Sequence, residues 1–457
     1  MKLGLTLAAI AAASLLGSQP TPPAIDLFFT AAGRDTARAD AALASLREAW
    51  RPGYTPMMVD LLRMMVAPPD AERPIESPAV GRLVRFLERQ TGQRFGVDLA
   101  RWREFMWKQP YDPHPEYGQF KSRLYALIDP RMAHFFRGPS RIRLDQIEWG
   151  GVGVNGIPPL RSPKVVASSA ATWLSDSHVV FGITVAGEAR AYPRRILAWH
   201  EMALDRLGGV EVTVVYCTLC GTVIPYQSVV GGTHRTFGTS GLLYRSNKLM
   251  FDEETNTLWS TLDGGPVVGP LAESKLQLEP LPVVTTSWGE WRRLHPHTTV
   301  LSAETGFERD YSEGAAYRDY FATDQLMFQV PIRDRRLANK AEIVGLFLPA
   351  AGGGRQAVAL SASLLNRDRL FQATVDGASF VVLTSPEGAN RVYDAGVHQF
   401  VRLEQDGRLR DAAGQPWNVT EDALTMVTPP QRLQRRVAFR AFWFGWVAQF
   451  PDTLLFK

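Results

Sequence analysis

Cys217 and Cys220 are the only cysteines in the chain, and their spacing of three positions suits them to chemistry. Two thiols placed in this way can exchange with a disulfide through a thiolate, or can supply two soft ligands to a metal ion. A run of β-branched and aromatic residues precedes the pair, another follows it, and a double glycine lies at the outer end of each run. The pattern predicts two strands joined by a tight turn, in which Gly221 takes a positive φ at little steric cost. A thioredoxin site differs, because its cysteines open a helix.

Three hypotheses for the pair stay open. In the redox hypothesis one thiol attacks a disulfide or oxidant and the other resolves the intermediate, and His200 or an arginine such as Arg245 could lower the pKa of the attacking thiol. In the metal hypothesis the cysteines form half of a zinc knuckle, and two thiolates with an imidazole would also suit copper. The residues that could complete such a shell are His200, Glu201, His234 and Asp252. In the structural hypothesis the pair is a closed disulfide, although so short a loop gains little from a cross-link.

A polar and aromatic segment after the turn supplies candidates for the wall of a pocket at the cysteines. They are Ser240, Tyr244, Asn247, Asp252 and Trp259. Ser240 stands between glycines that indicate a turn, but the spacing is not Gly-x-Ser-x-Gly, so hydrolase chemistry is not favoured. His200 could act as a ligand or a base, or could be a hydrogen-bonded histidine of the core.

Length and composition describe a globular protein of two or three domains. The chain has 457 residues, of which 45% are hydrophobic and 21% are charged. The net charge of +4 arises from basic and acidic residues that alternate along most of the chain. The basic cluster around Arg435 is short and adjoins an aromatic segment, so we expect a solvated face rather than a nucleic-acid site.

The N-terminus has the pattern of an export signal. Lys2 provides a positive charge, residues 3–16 form an apolar run, and Gly17 and Ser18 offer small residues for cleavage. The run is short for a membrane span, and no later stretch has the character of one. We therefore expect a signal peptide over residues 1–18 and an extracytoplasmic protein, periplasmic or secreted, in which a disulfide could form.

Residues 24–149 carry helical patterns. Apolar residues recur at helical spacing, and Ser77-Pro78 and Gly92 mark the start and the end of one helix. Short helices in succession predict a HEAT-like module. Because no catalytic pattern occurs in it, we expect a scaffold or a docking surface for a protein partner.

β-type patterns dominate beyond a glycine-rich boundary near residue 150, and they occur twice. One constant offset pairs Gly209 with Gly377, and a second offset pairs Trp288 with Trp443. Further matched pairs are Ala191 with Ala359, Val214 with Val382, Trp291 with Trp446 and Thr298 with Thr453. The residues that stand where the first copy has Cys217, Cys220 and His200 are Ser385, Gly388 and Asp368. The pattern predicts one active copy packed on one degenerate copy, with Trp288 and Trp443 in equivalent core positions.

Several motifs of the first copy resemble those of the domain of unknown function 3179 family. They are Trp199-His200-Glu201, residues 216–220, residues 237–244 and Thr257-Leu258-Trp259. The resemblance continues through the second copy and leaves out the helical module. Some members of the family are described as selenoproteins with selenocysteine at the cysteine motif, so the resemblance implies redox chemistry, although the family has no established activity. In this chain both positions are cysteine.

Together these patterns predict an α+β protein, with a helical N-terminal module and a duplicated, mainly β domain. The expected boundaries are 163–302 for the first copy, 303–336 for a linker and 337–457 for the second copy. The leading functional hypothesis is a thiol oxidoreductase. The alternative is a protein that binds or delivers copper or zinc, and a non-catalytic interaction module is the third hypothesis.

Overall fold

The computed structural model describes residues 21–66 and 77–457 of the chain. The predicted signal peptide lies outside these residues. Within the two described ranges, no helix combines the length and the apolar character needed to cross a membrane.

The chain forms two compact units, and the first of them is helical. It holds the described residues up to Met106 together with residues 110–117. Its helices are α1 (Ile25–Ala31), α2 (Thr36–Glu48), α3 (Thr55–Val66), α4 (Pro78–Thr91) and most of α5 (Leu99–Trp107). Ser77 accepts a hydrogen bond from the N–H of Val80, and Gly92 closes α4 with a φ of 72°. Both caps are those that the sequence predicts.

The second unit is mainly β and holds residues 107–109 and 118–457. Helix α6 (Tyr117–Ala126) belongs to it except for its first residue. The helical region predicted over residues 24–149 is therefore shared between the two units. The predicted α+β class, with helices first and strands after them, is confirmed.

The first half of the β region contains sixteen strands and two helices. The strands are β1 (Ile147–Trp149), β2 (Leu160–Arg161), β3 (Val165–Ala167), β4 (Val179–Val185), β5 (Glu188–Pro193), β6 (Met202–Leu207), β7 (Val210–Cys217), β8 (Thr222–Gln227), β9 (Val229–Val230), β10 (Thr233–His234), β11 (Phe237–Tyr244), β12 (Asn247–Asp252), β13 (Leu258–Ser260), β14 (Pro266–Val268), β15 (Val284–Ser287) and β16 (Thr299–Leu301). The helices are α7 (Arg194–His200) and α8 (Trp288–Leu294).

The second half begins after a short linker helix, α9 (Arg318–Phe321). Its strands are β17 (Glu342–Pro349), β18 (Arg355–Ser361), β19 (Leu370–Val375), β20 (Ala378–Thr384), β21 (Asn390–Asp394), β22 (Phe400–Leu403), β23 (Leu409–Asp411), β24 (Pro416–Val419), β25 (Ala423–Met426), β26 (Gln431–Arg436), β27 (Ala438–Phe442) and β28 (Leu454–Phe456). Its helices are α10 (Ala362–Arg367) and α11 (Trp443–Gln449).

The same strand order occurs in both halves. Strands β15-β4-β5-β16 lie side by side in the first half, and β27-β17-β18-β28 do so in the second. In each half the first two pairs are antiparallel and the last pair is parallel. The hairpins β6-β7-β8 correspond in the same way to β19-β20-β21. Trp288 and Trp443 begin the helices that follow equivalent strands, and both are buried.

Each copy packs a tryptophan directly on a strand glycine. Trp291 lies on Gly182 in the first copy, and Trp446 lies on Gly345 in the second. A Cβ on either glycine would fall 2.3 Å or 2.4 Å from the indole ring. Both indole N–H groups donate to a threonine hydroxyl at 2.9 Å. A glycine is therefore required at both positions for the ring to pack against the sheet.

Gly345→Ala is expected to lower the free energy of unfolding by about 1–3 kcal/mol, because the added methyl group overlaps the ring of Trp446. Gly352→Ala is the matched control, since a Cβ at Gly352 meets no atom within 4 Å. Urea unfolding of the two variants measures the difference. Equal unfolding midpoints would contradict the packing described for Trp446.

Candidate functional site at the cysteine turn

The cysteines lie in a tight turn between two buried strands, as the sequence predicts. Strands β7 and β8 are antiparallel, with Cys217 opposite Thr222. The N–H of Cys220 donates to the carbonyl of Cys217 at 3.1 Å. Gly221 has a φ of 61°, and a Cβ there would lie 3.0 Å from the ring of Phe442. Both the backbone conformation and the close approach therefore favour glycine at this position.

Both cysteines are free thiols, and both are buried. The exposed fraction is 5% for Cys217 and 0% for Cys220. The Cys220 thiol donates to the carbonyl of Ser246 at 3.2 Å and also lies within hydrogen-bonding reach of the Cys217 sulfur. In this structure the pair is a dithiol rather than a closed disulfide.

The surroundings move the pKa values of the two thiols in opposite directions. Burial acts to raise the pKa of Cys217, but hydrogen bonds from the Cys220 thiol and from the N–H groups of Lys248 and Cys220 outweigh it, so that this pKa is lowered. Burial and the neighbouring Cys217 together raise the pKa of Cys220 well above its ordinary value. Cys217 is therefore the thiol that ionises first, and Cys220 stays protonated.

A buried ion pair lies beside the thiols. The Nζ atom of Lys248 is 3.1 Å from Oε2 of Glu201 and donates to the Glu201 carbonyl at 3.1 Å. The negative charge of Glu201 acts to raise the pKa of both cysteines, whereas a hydrogen bond from the backbone N–H of Lys248 acts to lower it. Sequence reasoning singled out Glu201 but missed Lys248. The available signal was a lysine directly before the apolar residues 249–251, since a lysine is almost never buried unless it is paired.

His200 is bound to two partners other than the cysteines. Its Nδ1 lies 2.9 Å from the carbonyl oxygen of Pro158, and its Nε2 lies 2.6 Å from the hydroxyl of Tyr311. Because a carbonyl only accepts, Nδ1 carries the proton and Nε2 accepts from Tyr311. Burial lowers the pKa of His200, the Pro158 hydrogen bond acts against this, and Arg309 lowers it further. This is the arrangement of a neutral, hydrogen-bonded core histidine.

The protein is expected to lose stability through His200 as the pH falls below 6.5. The pKa of His200 is lower in the folded chain than in the unfolded chain. Neutral His200 therefore contributes fully to the free energy of unfolding above the ordinary pKa of 6.5, and this contribution is lost as the pH falls through the lowered pKa of the folded chain. The free energy of unfolding of the native chain and of His200→Gln, measured from neutral to mildly acidic pH, tests this. The native chain should lose more stability on acidification, and a difference that does not vary with pH would contradict the expectation.

Helix α11 of the second copy packs against the cysteine turn of the first copy and is hydrogen-bonded to residues that lie next to it. Asn247 donates to the carbonyl of Gly445 at 2.8 Å, and Arg245 donates to the carbonyl of Ala448 at 2.9 Å. A Cβ on Gly445 would lie 3.2 Å from the Cβ of Cys220. Asn247 and Cys220 thus both approach Gly445 of this helix, whereas the guanidinium of Arg245 binds the end of the helix.

The other predicted pocket residues satisfy polar groups of the interior. The carbonyl of Tyr244 accepts a hydrogen bond from Gln449 of helix α11 at 3.0 Å. Asp252 accepts the indole N–H of Trp259 at 2.8 Å. The Ser240 hydroxyl donates to a backbone carbonyl at 2.6 Å. These contacts hold strands β11, β12 and β13 together and join them to helix α11.

The turn predicted around Ser240 is wrong. Residues Phe237–Tyr244 form strand β11, whose pairing with β12 shifts register between Thr239 and Leu243. Gly241 has a φ of 75° at this irregularity. The glycines therefore mark a bulge inside a strand, because glycine also favours bulges and not only turns.

Among residues 21–66 and 77–457, no group of three or more His, Cys, Asp or Glu side chains is placed to hold a metal ion. His234 is exposed on β10. Of the shell proposed from the sequence, Glu201 acts on the pKa values of both thiols.

A segment of the linker covers the cysteine turn, and we call residues 310–321 the strap. The hydroxyl of Tyr320 donates to the carbonyl of Leu219, inside the turn, at 2.8 Å. The indole N–H of Trp199 donates to the carbonyl of Asp310 at 2.7 Å. The hydrogen bond between His200 and the Tyr311 hydroxyl lies at the same end of the strap. The Trp-His-Glu motif therefore holds one end of the strap and the cysteine turn holds the other.

Comparison with known proteins places the chain in a family. No curated protein and no solved structure matches it. A family model described as Protein of unknown function (DUF3179) matches residues 154–453, which are well over half of the chain. The matched range includes the cysteine turn, the strap and nearly all of the second copy. The chain therefore belongs to the DUF3179 family, as its motifs predict.

Proposed function

We propose that the cysteine turn carries out thiol–disulfide redox chemistry, with Cys217 as the attacking thiol and Cys220 as the resolving thiol. The observation that carries the proposal is the placement of two free thiols at the ends of one turn, closed by the hydrogen bond from the Cys220 N–H to the Cys217 carbonyl. Adjacent thiols of this kind can form an intramolecular disulfide and release a bound substrate.

The proposed reaction is a two-electron exchange. The Cys217 thiolate attacks one sulfur of a substrate disulfide, forms a mixed disulfide with it and releases the other sulfur as a thiolate. The Cys220 thiol gives its proton to that released thiolate and attacks the Cys217 sulfur. The second substrate thiolate then leaves and takes a proton from water, which replaces the one that Cys217 lost on ionising. The substrate gains two electrons, and the protein holds the Cys217–Cys220 disulfide.

The opposed thiol pKa values support this division of roles. The lowered pKa of Cys217 increases the fraction of reactive thiolate, and the raised pKa of Cys220 keeps the resolving thiol protonated until a base reaches it. The hydrogen bonds that favour the Cys217 thiolate come partly from Cys220, and Cys217 in turn raises the pKa of Cys220, so each cysteine shifts the pKa of the other.

A redox titration of metal-free protein, combined with elemental analysis of protein purified without chelators, tests the proposal. We expect Cys217 and Cys220 to convert between dithiol and disulfide at a potential accessible to physiological thiols. Stoichiometric zinc or copper on a pair that does not cycle after metal removal would favour the metal-binding alternative. A disulfide that resists reduction until the protein unfolds would leave only a structural role.

The protein is further proposed to be exported, on the basis of Lys2 and the apolar residues 3–16. The mature chain is expected to begin close to Gln19 and to lie outside the cytoplasmic membrane. N-terminal sequencing of protein from separated cell fractions measures this. An intact Met1 on protein from the cytosolic fraction would contradict it.

A further inference from the structure

A cavity of about 430 Å³ lies next to the cysteine turn. Tyr216 and Gly221, which are the chain neighbours of the two cysteines, contribute to its lining. Helix α7 and the strap line it as well, and so does the start of the second copy. Its size falls in the range of small-molecule sites, which is roughly 300–1,000 Å³. A ligand in this cavity would therefore lie beside the turn that holds both sulfurs.

The cavity lining carries an excess of positive charge. Its cationic residues are Arg194, Arg195, Arg318, Lys340 and Arg440. Its two carboxylates already pair with arginines of the same lining, Glu313 with Arg194 at 2.6 Å and Glu342 with Arg440 at 3.3 Å. Three cations of the lining therefore have no carboxylate partner within it.

Two of these three cations donate to backbone carbonyls. Arg195 donates to the carbonyl of Trp173 at 3.5 Å, and Lys340 donates to the carbonyl of Thr323 at 2.6 Å. The charges of Arg318 and Arg195 both act on Asp310, an exposed carboxylate that lies outside the lining. Lys340 interacts in the same way with Asp324, which is also exposed and outside the lining, so no carboxylate of the lining itself balances these three charges. A partly enclosed site of this kind attracts anions, because its low-dielectric walls strengthen the field of the cations.

We propose that this cavity binds the substrate and that the substrate is a small disulfide bearing carboxylate groups. This assignment rests on the thiol–disulfide function proposed above. The cations recognise the carboxylates, and three phenylalanines of the lining, Phe181, Phe321 and Phe442, contact the alkyl groups between carboxylate and sulfur. The strap contributes both to the lining and to the cover of the turn, through Tyr320 and Leu219. Movement of the strap would therefore open a path from the bound disulfide to the buried Cys217 sulfur.

Calorimetric titration of the full chain carrying Cys217→Ser and Cys220→Ser tests binding apart from chemistry. The probes are dithiodipropionate, its neutral dimethyl ester, and suberate, a dicarboxylate of the same chain length without the disulfide. We expect the two dicarboxylates to bind with comparable Kd and the ester to bind about tenfold more weakly or worse. The Kd values of dithiodipropionate and suberate should both rise with salt concentration, because salt screens their carboxylates from the cations. If the double variant does not fold, the reduced native chain with suberate, which cannot react, gives the same measurement.

Arg318→Met is expected to weaken the binding of suberate about fivefold, which corresponds to one partly exposed ion pair. Arg335→Met is the matched control, because Arg335 is an exposed linker arginine outside the cavity lining. Binding that does not respond to salt or to Arg318→Met, or oxidation of the native thiols by dithiodipropionate and by its ester at equal rates, would overturn the inference and leave the redox function intact. Binding of both dicarboxylates to a protein whose thiols no disulfide can oxidise would overturn the redox function and the substrate assignment with it.

Discussion

Replacing Cys217 with Ser is expected to abolish thiol–disulfide cycling and to leave the fold intact. The reaction loses its attacking sulfur, whereas the turn itself does not need the thiols. The second copy closes the same turn with Ser385 and Gly388 in their place, and the N–H of Gly388 donates to the Ser385 carbonyl at 2.9 Å. Redox titration and near-ultraviolet circular dichroism of the variant measure the two effects separately.

Cys220→Ser is expected to stop the cycle at a different step. Cys217 can still attack a disulfide, but no thiol follows to resolve the product, so a mixed disulfide should accumulate and be visible in the intact mass. The control is Ser385→Ala in the second copy, which should cycle like the native chain. Continued cycling in either cysteine variant would rule out the assigned roles.

Lys248→Met is expected to lower the free energy of unfolding by about 3–5 kcal/mol, because it leaves the buried Glu201 carboxylate without its partner. It should also raise the pKa of Cys217, since the repulsion between Glu201 and the thiolate is then unopposed. Urea unfolding measures the first effect. The pH dependence of Cys217 alkylation, located by mass spectrometry, measures the second. Lys275→Met, at an exposed lysine, is the control for both.

Glu201→Gln removes the negative partner of the same ion pair and should shift the pKa of Cys217 in the opposite direction. Removal of the carboxylate charge should lower the pKa of Cys217, because Glu201 acts to raise it. The double variant with Lys248→Met removes both charges and should recover part of the stability that the single lysine variant loses. Shifts of the Cys217 pKa in the same direction for the two single variants would show that the ion pair does not control the thiolate.

The cysteine hairpin and the duplication could both be predicted from the sequence, for two physical reasons. The hairpin depends on neighbours in the chain, since two runs of β-branched and aromatic residues with Gly221 between them specify two strands and a turn within a few positions. The duplication leaves its mark in residues that packing constrains, and Trp291 and Trp446 recur because each must lie on a glycine of its own sheet. The helices of the N-terminal region could also be predicted, from the spacing of their apolar residues and from their capping residues.

The contacts that define the site could not be predicted, because they join distant parts of the chain. His200 meets Tyr311 across 111 positions, and Lys248 meets Glu201 across 47. Neither pair lies within one helix or one hairpin, so no periodicity indicates them. The bulge of β11 was missed because the same glycines are compatible with a turn.

The helices that cover the two turns are exchanged between the copies. Helix α11 of the second copy places Gly445 against Cys220, and α8 of the first copy supplies Glu290, which accepts a hydrogen bond from Ser385 at 2.9 Å. Each turn is therefore packed against a helix of the other copy, as happens between the two subunits of a homodimer. The covering helix is then present at a high effective concentration whatever the abundance of the protein. A chain truncated before the second copy would lose the packing of Gly445 against Cys220, so the copy without cysteines contributes to the surroundings of the copy that has them.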